Sequence, residues 1–256
     1  MTDEINPMAR KGFQASADAY ERGRPDYPAA AIDFLAEVCG IRQGARVIEL
    51  GAGTGKFTRL LTRTNASFLA IEPVEGMRTK FASLSPEIEI QEGNAERIPS
   101  AAEAAEVVLA AQAFHWFNGE KALAEIHRVL KPGGTLGLIW NVRDESIEWV
   151  AELTRIIDVY EQGAPRYKTF EWKRAFRDSR LFAPLQHRSF DYRFRCTVGA
   201  FMDRIASTSF IASLPEELRE SVLQQIRTLI GQHRLTKGQS TIETAYKTDV
   251  YWCRKV

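Results

Sequence analysis

Short apolar runs rich in Val, Ile, Leu and Ala recur along this chain, separated by stretches whose apolar positions repeat every three or four residues. Runs of the first kind are too brief for helices and read as buried parallel strands. The second kind reads as amphipathic helix. In order, the runs predict strands at Val47–Leu50, Ser67–Ile71, Ile88–Gly93, Ala105–Ala111 and Thr135–Trp140. An alternating strand over Gln186–Cys196 and a closing strand over Thr241–Tyr251 follow. Helical patterning falls at Ala29–Cys39, from Lys56 onward, after Pro73, and at Glu120–Leu130, Glu145–Tyr160, Phe170–Arg180, Thr197–Ala206 and Glu216–Ile230. Lys131-Pro132-Gly133-Gly134 reads as the turn that stops the helix before Thr135. Strands alternating with helices predict a doubly wound α/β sheet.

Between the first strand and its helix lies Glu49-Leu50-Gly51-Ala52-Gly53-Thr54-Gly55-Lys56-Phe57. Such a turn lets backbone amides approach a ligand at a helix N-terminus. A phosphate-cradling P-loop needs four residues before its Gly-Lys and a Ser or Thr after it. Here three residues separate Gly51 from Gly55, and Phe57 follows the lysine. The dinucleotide pattern G-x-G-x-x-G fails too, because the third glycine comes one residue early. Glu49 at the strand end would repel a pyrophosphate but can pair with an ammonium group. The second strand ends in Glu72, whose carboxylate can accept both hydroxyls of a ribose. The implied ligand carries an amino-acid cation and a ribose, and no phosphate.

With Val47–Gly55, Ile71-Glu72-Pro73, Gly93-Asn94-Ala95-Glu96, Ala113-Phe114-His115-Trp116-Phe117 and Leu130-Lys131-Pro132-Gly133-Gly134 in this order, the chain resembles the class I S-adenosylmethionine-dependent methyltransferases. Within them it looks most like the small-molecule branch related to ubiquinone-biosynthesis and trans-aconitate methyltransferases. The resemblance implies a Rossmann-like, seven-stranded, mostly parallel sheet with a C-terminal antiparallel strand and helical cap additions. It implies one methyltransferase domain over residues 1–256: an N-terminal lid and first helices (1–40), a cofactor core (41–143), a helical substrate segment with one strand (144–236) and a closing strand (237–256). It also implies S-adenosyl-L-methionine as cofactor, converted to S-adenosyl-L-homocysteine. Its cofactor residues would be Tyr20, Arg24, Glu49, Gly51, Ala52, Gly53, Gly55, Glu72, Pro73, Met77, Asn94, Ala95, Ala111 and Gln112. Tyr20 and Arg24 would belong to a lid, and the Asn94–Ala95 loop would border the adenine. Residues expected at the acceptor are Tyr27, His115, Trp116, Arg143 and Tyr246.

Several of these have plainer readings. Tyr20 and Tyr27 also suit aromatic packing of a loose N-terminus. Phe114, Trp116 and Phe117 suit packing under the next helix, or a pocket for a sulfonium held by cation–π attraction. Arg143 suits a bidentate clamp on a substrate carboxylate or a surface ion pair with Asp144 or Glu145. His115 is the histidine placed at the rim, as a base or a substrate hydrogen bond. His127, His187 and His233 read as solvated or structural, the last two in stretches without partners.

Composition changes the picture little. The 256 residues carry a net charge of +1, so no global field calls for nucleic acid or membrane. From Arg166 to Arg204, however, ten Lys and Arg face four Asp and Glu. Such a run suits an anionic substrate, RNA, or simply a solvated face. Three scattered cysteines without a C-x-x-C pair fit a reducing cytoplasm and no metal site. No signal-peptide pattern or membrane-length apolar run is seen, so a cytoplasmic monomer or homodimer is expected. No Asn/Asp-Pro-Pro-aromatic motif and no Pro-Cys nucleophile is present, which points away from base methylation and from nucleic acid as partner. The reading is methyl transfer to an oxygen or carbon of a small molecule, a small carboxylic acid among the choices. The alternatives are a non-catalytic S-adenosylmethionine-binding protein and an RNA methyltransferase using the 166–204 segment.

Overall fold

The computed structural model describes residues 21, 23–161, 163 and 165–256. Its strands are β1 (Arg46–Leu50), β2 (Ser67–Ile71), β3 (Glu89–Gln91), β4 (Ala105–Ala111), β5 (Leu130–Arg143), β6 (Gln186–Thr197) and β7 (Thr241–Arg254). They form one sheet in the order β3-β2-β1-β4-β5-β7-β6. Pairing is parallel from β3 through β5, and β7 runs antiparallel to both β5 and β6. This is the doubly wound, mostly parallel sheet with an antiparallel closing strand that the sequence predicts. The strand order reverses between β1 and β4, so their carboxyl ends flank the crevice where open α/β sheets bind ligands.

Alternation along each strand sends neighbours to opposite faces. Val47, Val107, Leu109 and Ile139 face α1 (Ala29–Cys39) and α2 (Lys56–Leu61), meeting Ile32, Leu35, Phe57 and Leu61. Ile48, Val108, Ala110 and Leu138 face the other way, onto Leu123 and Ile126 of the helix Gly119–Val129. The remaining helices, numbered in chain order, are α3 (Glu75–Leu84), α4 (Gly119–Val129), α5 (Glu148–Asp158), α6 (Arg174–Asp178), α7 (Val198–Ala206), α8 (Ser209–Ala212) and α9 (Glu216–Gln232). A separate core forms where Trp149 and Leu153 of α5, Phe201 and Ile205 of α7, and Val222 and Ile226 of α9 meet Ile242 of β7. These are the helical cap additions.

Two local expectations need correction. Lys131–Gly134 is not a free turn: β5 begins at Leu130, which pairs with Ala105, and resumes its register at Thr135 opposite Val107. The four residues between form an irregularity inside the strand, a β-bulge in effect. Phe170–Arg180 is not one helix either. Tyr167–Thr169 and Glu171–Lys173 are short 3₁₀ turns, with Phe170 between them at φ 57°. Only Arg174–Asp178 is α-helical, because burying Trp172 against Trp140 and Tyr251 dictates the path. Strand β6 lies at the sheet edge, and its charged residues (Arg188, Asp191, Arg193, Arg195) guard that edge against foreign strands.

Helix α1 approaches β5 closely at Gly137, where an added methyl would come within 2.8 Å of Cys39 Sγ and Leu109 Cδ2 and 3.0 Å of Leu35 Cδ1. Gly137→Ala is therefore expected to destabilise the protein by about 1–3 kcal/mol through overpacking. A lowered urea midpoint with unchanged slope checks this; an unchanged midpoint would mean the helix gives way freely.

Candidate active site

The glycine loop follows β1. Gly51 stands at φ 66° and Gly55 at φ 81°, conformations that L side chains rarely adopt. A methyl on Gly51 would also meet Ala113 Cβ at 2.9 Å, and one on Gly55 would enter the Phe81 ring at 2.7 Å. The loop is thus packed from below and presents backbone above. Glu49 is buried at the end of β1, 1% exposed, and accepts a hydrogen bond from Thr58 Oγ1 at 2.5 Å. Burial, with Glu72 nearby, lifts its carboxyl to about 8 against the pull of Thr58 and Arg59. Glu72 is buried beyond β2 and accepts the amides of Gly53 and Val74, each at 2.9 Å. Burial raises its pKa as well, opposed by those two amides and by Arg78. Each Glu72 oxygen keeps acceptor capacity beyond its single amide.

The chain preceding α1 straps across this loop. Glu21 accepts from Thr54 Oγ1 at 2.5 Å and pairs with Arg59, while Lys56 Nζ reaches the Glu21 carbonyl at 3.1 Å and Asp26 at 3.3 Å. Asn141, at the carboxyl end of β5, ties the strap to the sheet. Its Nδ2 donates to the Asp26 carbonyl at 2.9 Å and its Oδ1 accepts from Thr248 at 2.6 Å. Of the two residues expected in a lid, Arg24 is here and lines the cavities below; Tyr20 lies outside the described residues.

Two adjoining cavities open under the strap. The smaller, about 520 Å³ including space open to solvent, is bounded by Glu49, Gly51, Ala52, Phe57, Ala111 and Gln112, with Tyr27 edge-on to Phe57. The larger, about 890 Å³ on the same basis, is bounded by His115, Trp116, Arg143, Arg166, Lys168 and Phe210 among others. Arg24, Gln112, Asn141, Arg204 and Tyr246 border both. Gln112 sits there at φ 57°, a strained backbone for a residue with a side chain. Met77 and Ala95 are each 2% exposed, and Asn94 forms an isolated bridge with Arg97. With Glu72, these lie outside the walls of the two cavities.

The larger cavity is cationic. Arg143, beside Tyr246 in the sheet register, has an Nη1 shielded from solvent and without a hydrogen-bond partner among the described residues. Its ion-pair reading fails on the Asp144 side, since Asp144 accepts instead from Ser146. Arg166 pairs with Asp158 and Glu161, and Arg204 Nη1 donates to Thr208 at 3.1 Å. Arg166, Lys168 and Arg204 belong to the basic segment that the sequence offers to an anionic substrate as a whole, without singling out these three. Their signal was local charge excess without any periodicity. His115 lines this cavity as expected, while Phe114 and Phe117 pack on each other and on Phe176. His187 is not partnerless: its Nε2 lies 2.9 Å from Asp249 and its ring stacks on Tyr251. His233 takes the Leu235 amide at 3.2 Å.

Fold and site together define a doubly wound α/β protein with a glycine loop and buried acids at the strand tips, and comparison with known proteins gives the family. The methyltransferase-domain family profile matches residues 48–138. A methyltransferase-like protein of Schizosaccharomyces pombe is 32% identical over 246 residues, 96% of each chain. A protein of Anaeromyxobacter dehalogenans assigned to the type II methyltransferases superposes with a TM-score of 0.69 at 20% identity, covering 91% of this chain and 97% of its own. The malonyl-[acyl-carrier protein] O-methyltransferase of Methylococcus capsulatus is 38% identical over 98 residues, 36% of each chain. The chain belongs to the class I S-adenosylmethionine-dependent methyltransferases. A short profile described as a ubiquitin binding region also matches residues 206–229, where Phe210, Ile211, Val222, Ile226 and Leu229 are buried in the cap. Among the described residues no helix is long and apolar enough to cross a membrane.

The raised carboxyl of Glu49 has a definite sign. The folded protein keeps a proton that the unfolded chain has lost above about pH 4.5, so stability falls as pH rises toward about 8. Glu49→Gln should therefore raise the melting temperature, with a gap from wild type that widens from pH 5 to pH 8. The underlying slope is at most about 1.4 kcal/mol per pH unit. An equal shift at both pH values would show that Glu49 is ionised in the folded protein.

Proposed function

We propose that the chain transfers the methyl group of S-adenosylmethionine to a small anionic acceptor, through an oxygen or carbon nucleophile, within the arginine-lined cavity. One observation carries this reading. A cavity walled by Glu49 and the glycine loop adjoins a cationic one, and five residues border both. This supports neighbouring places for the donor's amino-acid end and the acceptor. When bound, the donor supplies a methyl group on a sulfonium, which is displaced without help from a metal.

Glu49 would pair with the donor's ammonium group once its own proton has left. Glu72, already oriented by the Gly53 and Val74 amides, would take the ribose hydroxyls with its remaining lone pairs. Asn94 and the Ala95 amide would address the adenine edge. Arg143 offers its unmatched Nη1 to an anion, and a guanidinium left bare in a partly dry cavity is costly until an anion pairs with it. Arg24 and the strap would exclude water and hold nucleophile and methyl in line. The Methylococcus O-methyltransferase supports an oxygen acceptor, although its match covers only about a third of this chain.

The basic segment suits this better than it suits RNA. Arg166, Lys168 and Arg204 face the cavity, whereas Arg174, Arg188 and Arg195 are exposed, Arg188 lying over Phe34 and Phe190.

Thermal shift tests the cofactor half. S-adenosylhomocysteine at about 100 times its dissociation constant should add roughly 2.7 kcal/mol, and NAD nothing. Glu72→Ala should weaken that binding at least about tenfold, in line with a lost charge-assisted hydrogen bond; unchanged affinity would remove Glu72 from the ribose. A screen of small acids, phenols and quinone precursors for methylated product tests the acceptor half. With any acceptor so found, Arg143→Gln should raise KM at least about tenfold and leave S-adenosylhomocysteine affinity within a factor of about two.

A further inference from the structure

The proton position on His115 is fixed by its neighbour. Trp140 Nε1 lies 3.1 Å from His115 Nδ1. An indole N–H can only donate, so Nδ1 must offer its lone pair. In the neutral imidazole the hydrogen then sits on Nε2. Trp140 cannot yield, being 1% exposed and packed between Trp172, Tyr167 and Tyr251. Protonating the ring would set two N–H groups against each other. Burial, then the charges of Arg166 and Arg24, push the same way and hold the His115 pKa near about 3. At neutral pH the ring has no nitrogen left to take a proton from a bound molecule.

The rest of the larger cavity is equally poor in bases. The Tyr167 hydroxyl donates to Asp249 at 2.6 Å. Among the described residues Glu145 is the one carboxylate in the wall, and it is exposed. What the cavity offers instead is donors: the Arg143 guanidinium, Arg166, Arg204 and an Nε2–H on His115.

We propose that His115 acts as a fixed hydrogen-bond donor rather than a base, and that the acceptor is a carboxylate, ionised before it enters, which leaves as a methyl ester. This rests on the methyltransferase reading above. One carboxylate oxygen gives a lone pair to the methyl carbon, the carbon–sulfur bond breaks with its pair going to sulfur, and no proton moves. The positive sulfonium and negative carboxylate become a neutral thioether and a neutral ester. A phenol, alcohol or carbon acid would release one proton per turnover and would need a base that the described residues of this cavity do not supply.

Two measurements test the proposal on the full-length protein. Long-range proton–nitrogen correlation of ¹⁵N-histidine-labelled protein, with the His115 signal assigned by its loss in His115→Gln, reads the tautomer without any acceptor. An Nε2–H ring unchanged from pH 6 to pH 8 is expected. An Nδ1–H ring, or a charged one at pH 7, overturns the donor assignment. In Trp140→Phe the preference for Nε2–H should relax, which a merely structural tryptophan would not produce. Methyl-labelled S-adenosylmethionine is then incubated with matched carboxylic acids, their amides, phenols and carbon acids. Label should enter only the carboxylic acids, be released as methanol by mild alkali, and appear without net proton release. Alkali-stable product, one proton per turnover, or loss of turnover in Glu145→Gln overturns the carboxylate assignment. His115→Gln, which keeps an N–H near the Nε2 position, should retain about a tenth or more of the activity, and His115→Leu should lose about a hundredfold, the worth of a hydrogen bond to a charged group. Calorimetry with S-adenosylhomocysteine separates the two levels. Binding together with any overturning result removes this inference alone, whereas no binding removes the reading beneath it.

Discussion

Two carboxylates forced close together at neighbouring strand tips organise this molecule. Glu49 and Glu72 end adjacent parallel strands and are both buried, so each raises the cost of charge on the other. The protein meets that cost differently at the two positions. Glu72 is given two backbone amides and Arg78, whereas Glu49 has only a hydroxyl and a more distant arginine. The loop amide that satisfies Glu72 comes from Gly53, so the positive-φ path through the glycines and the orientation of the acid fix each other. One acid is thus well supplied with donors and the other is not.

The second cavity presents the opposite problem. Guanidinium groups from the strap, from β5, from the loop after α5 and from α7 meet there with few acids to answer them. Asp158 and Glu161 neutralise Arg166 from outside the wall, which leaves the inner face positive. The His115 ring is neutral partly because of this crowding. On one side of Gln112 and Asn141 lies Glu49, a buried acid that can still give up its proton, and on the other a cluster of guanidinium groups. A pair of ligands of opposite charge would meet across those two amides.

The sheet and the glycine loop were legible because each depends on short-range rules. Strand runs such as Val107–Ala110 bury both faces, and Gly51 and Gly55 stand where a side chain would strain the backbone. Gly133-Gly134 misled for the same reason: two glycines after a helix read locally as a turn, but only the pairing with β4 shows that they interrupt a strand. The cation ring was hidden by distance. Arg24 and Arg204 are 180 residues apart, and their meeting depends on the strap docking against α7, where a methyl on Gly23 would strike the Arg204 backbone at 2.5 Å. The Trp140–His115 hydrogen bond was equally hidden, since the pattern at Trp140 says only that it is buried strand. His187 looked partnerless because Asp249 reaches it across a β6–β7 pairing with no sequence signature.

The fastening of the strap has a consequence for traffic through the site. Asn141, Lys56, Thr54 and Arg59 hold it by polar contacts, and Tyr27 packs it edge-on against Phe57 and the core beside α1. Water can replace each polar contact in turn, but lifting the strap would also bare the Phe57 edge that Tyr27 covers, so opening the site carries an apolar cost.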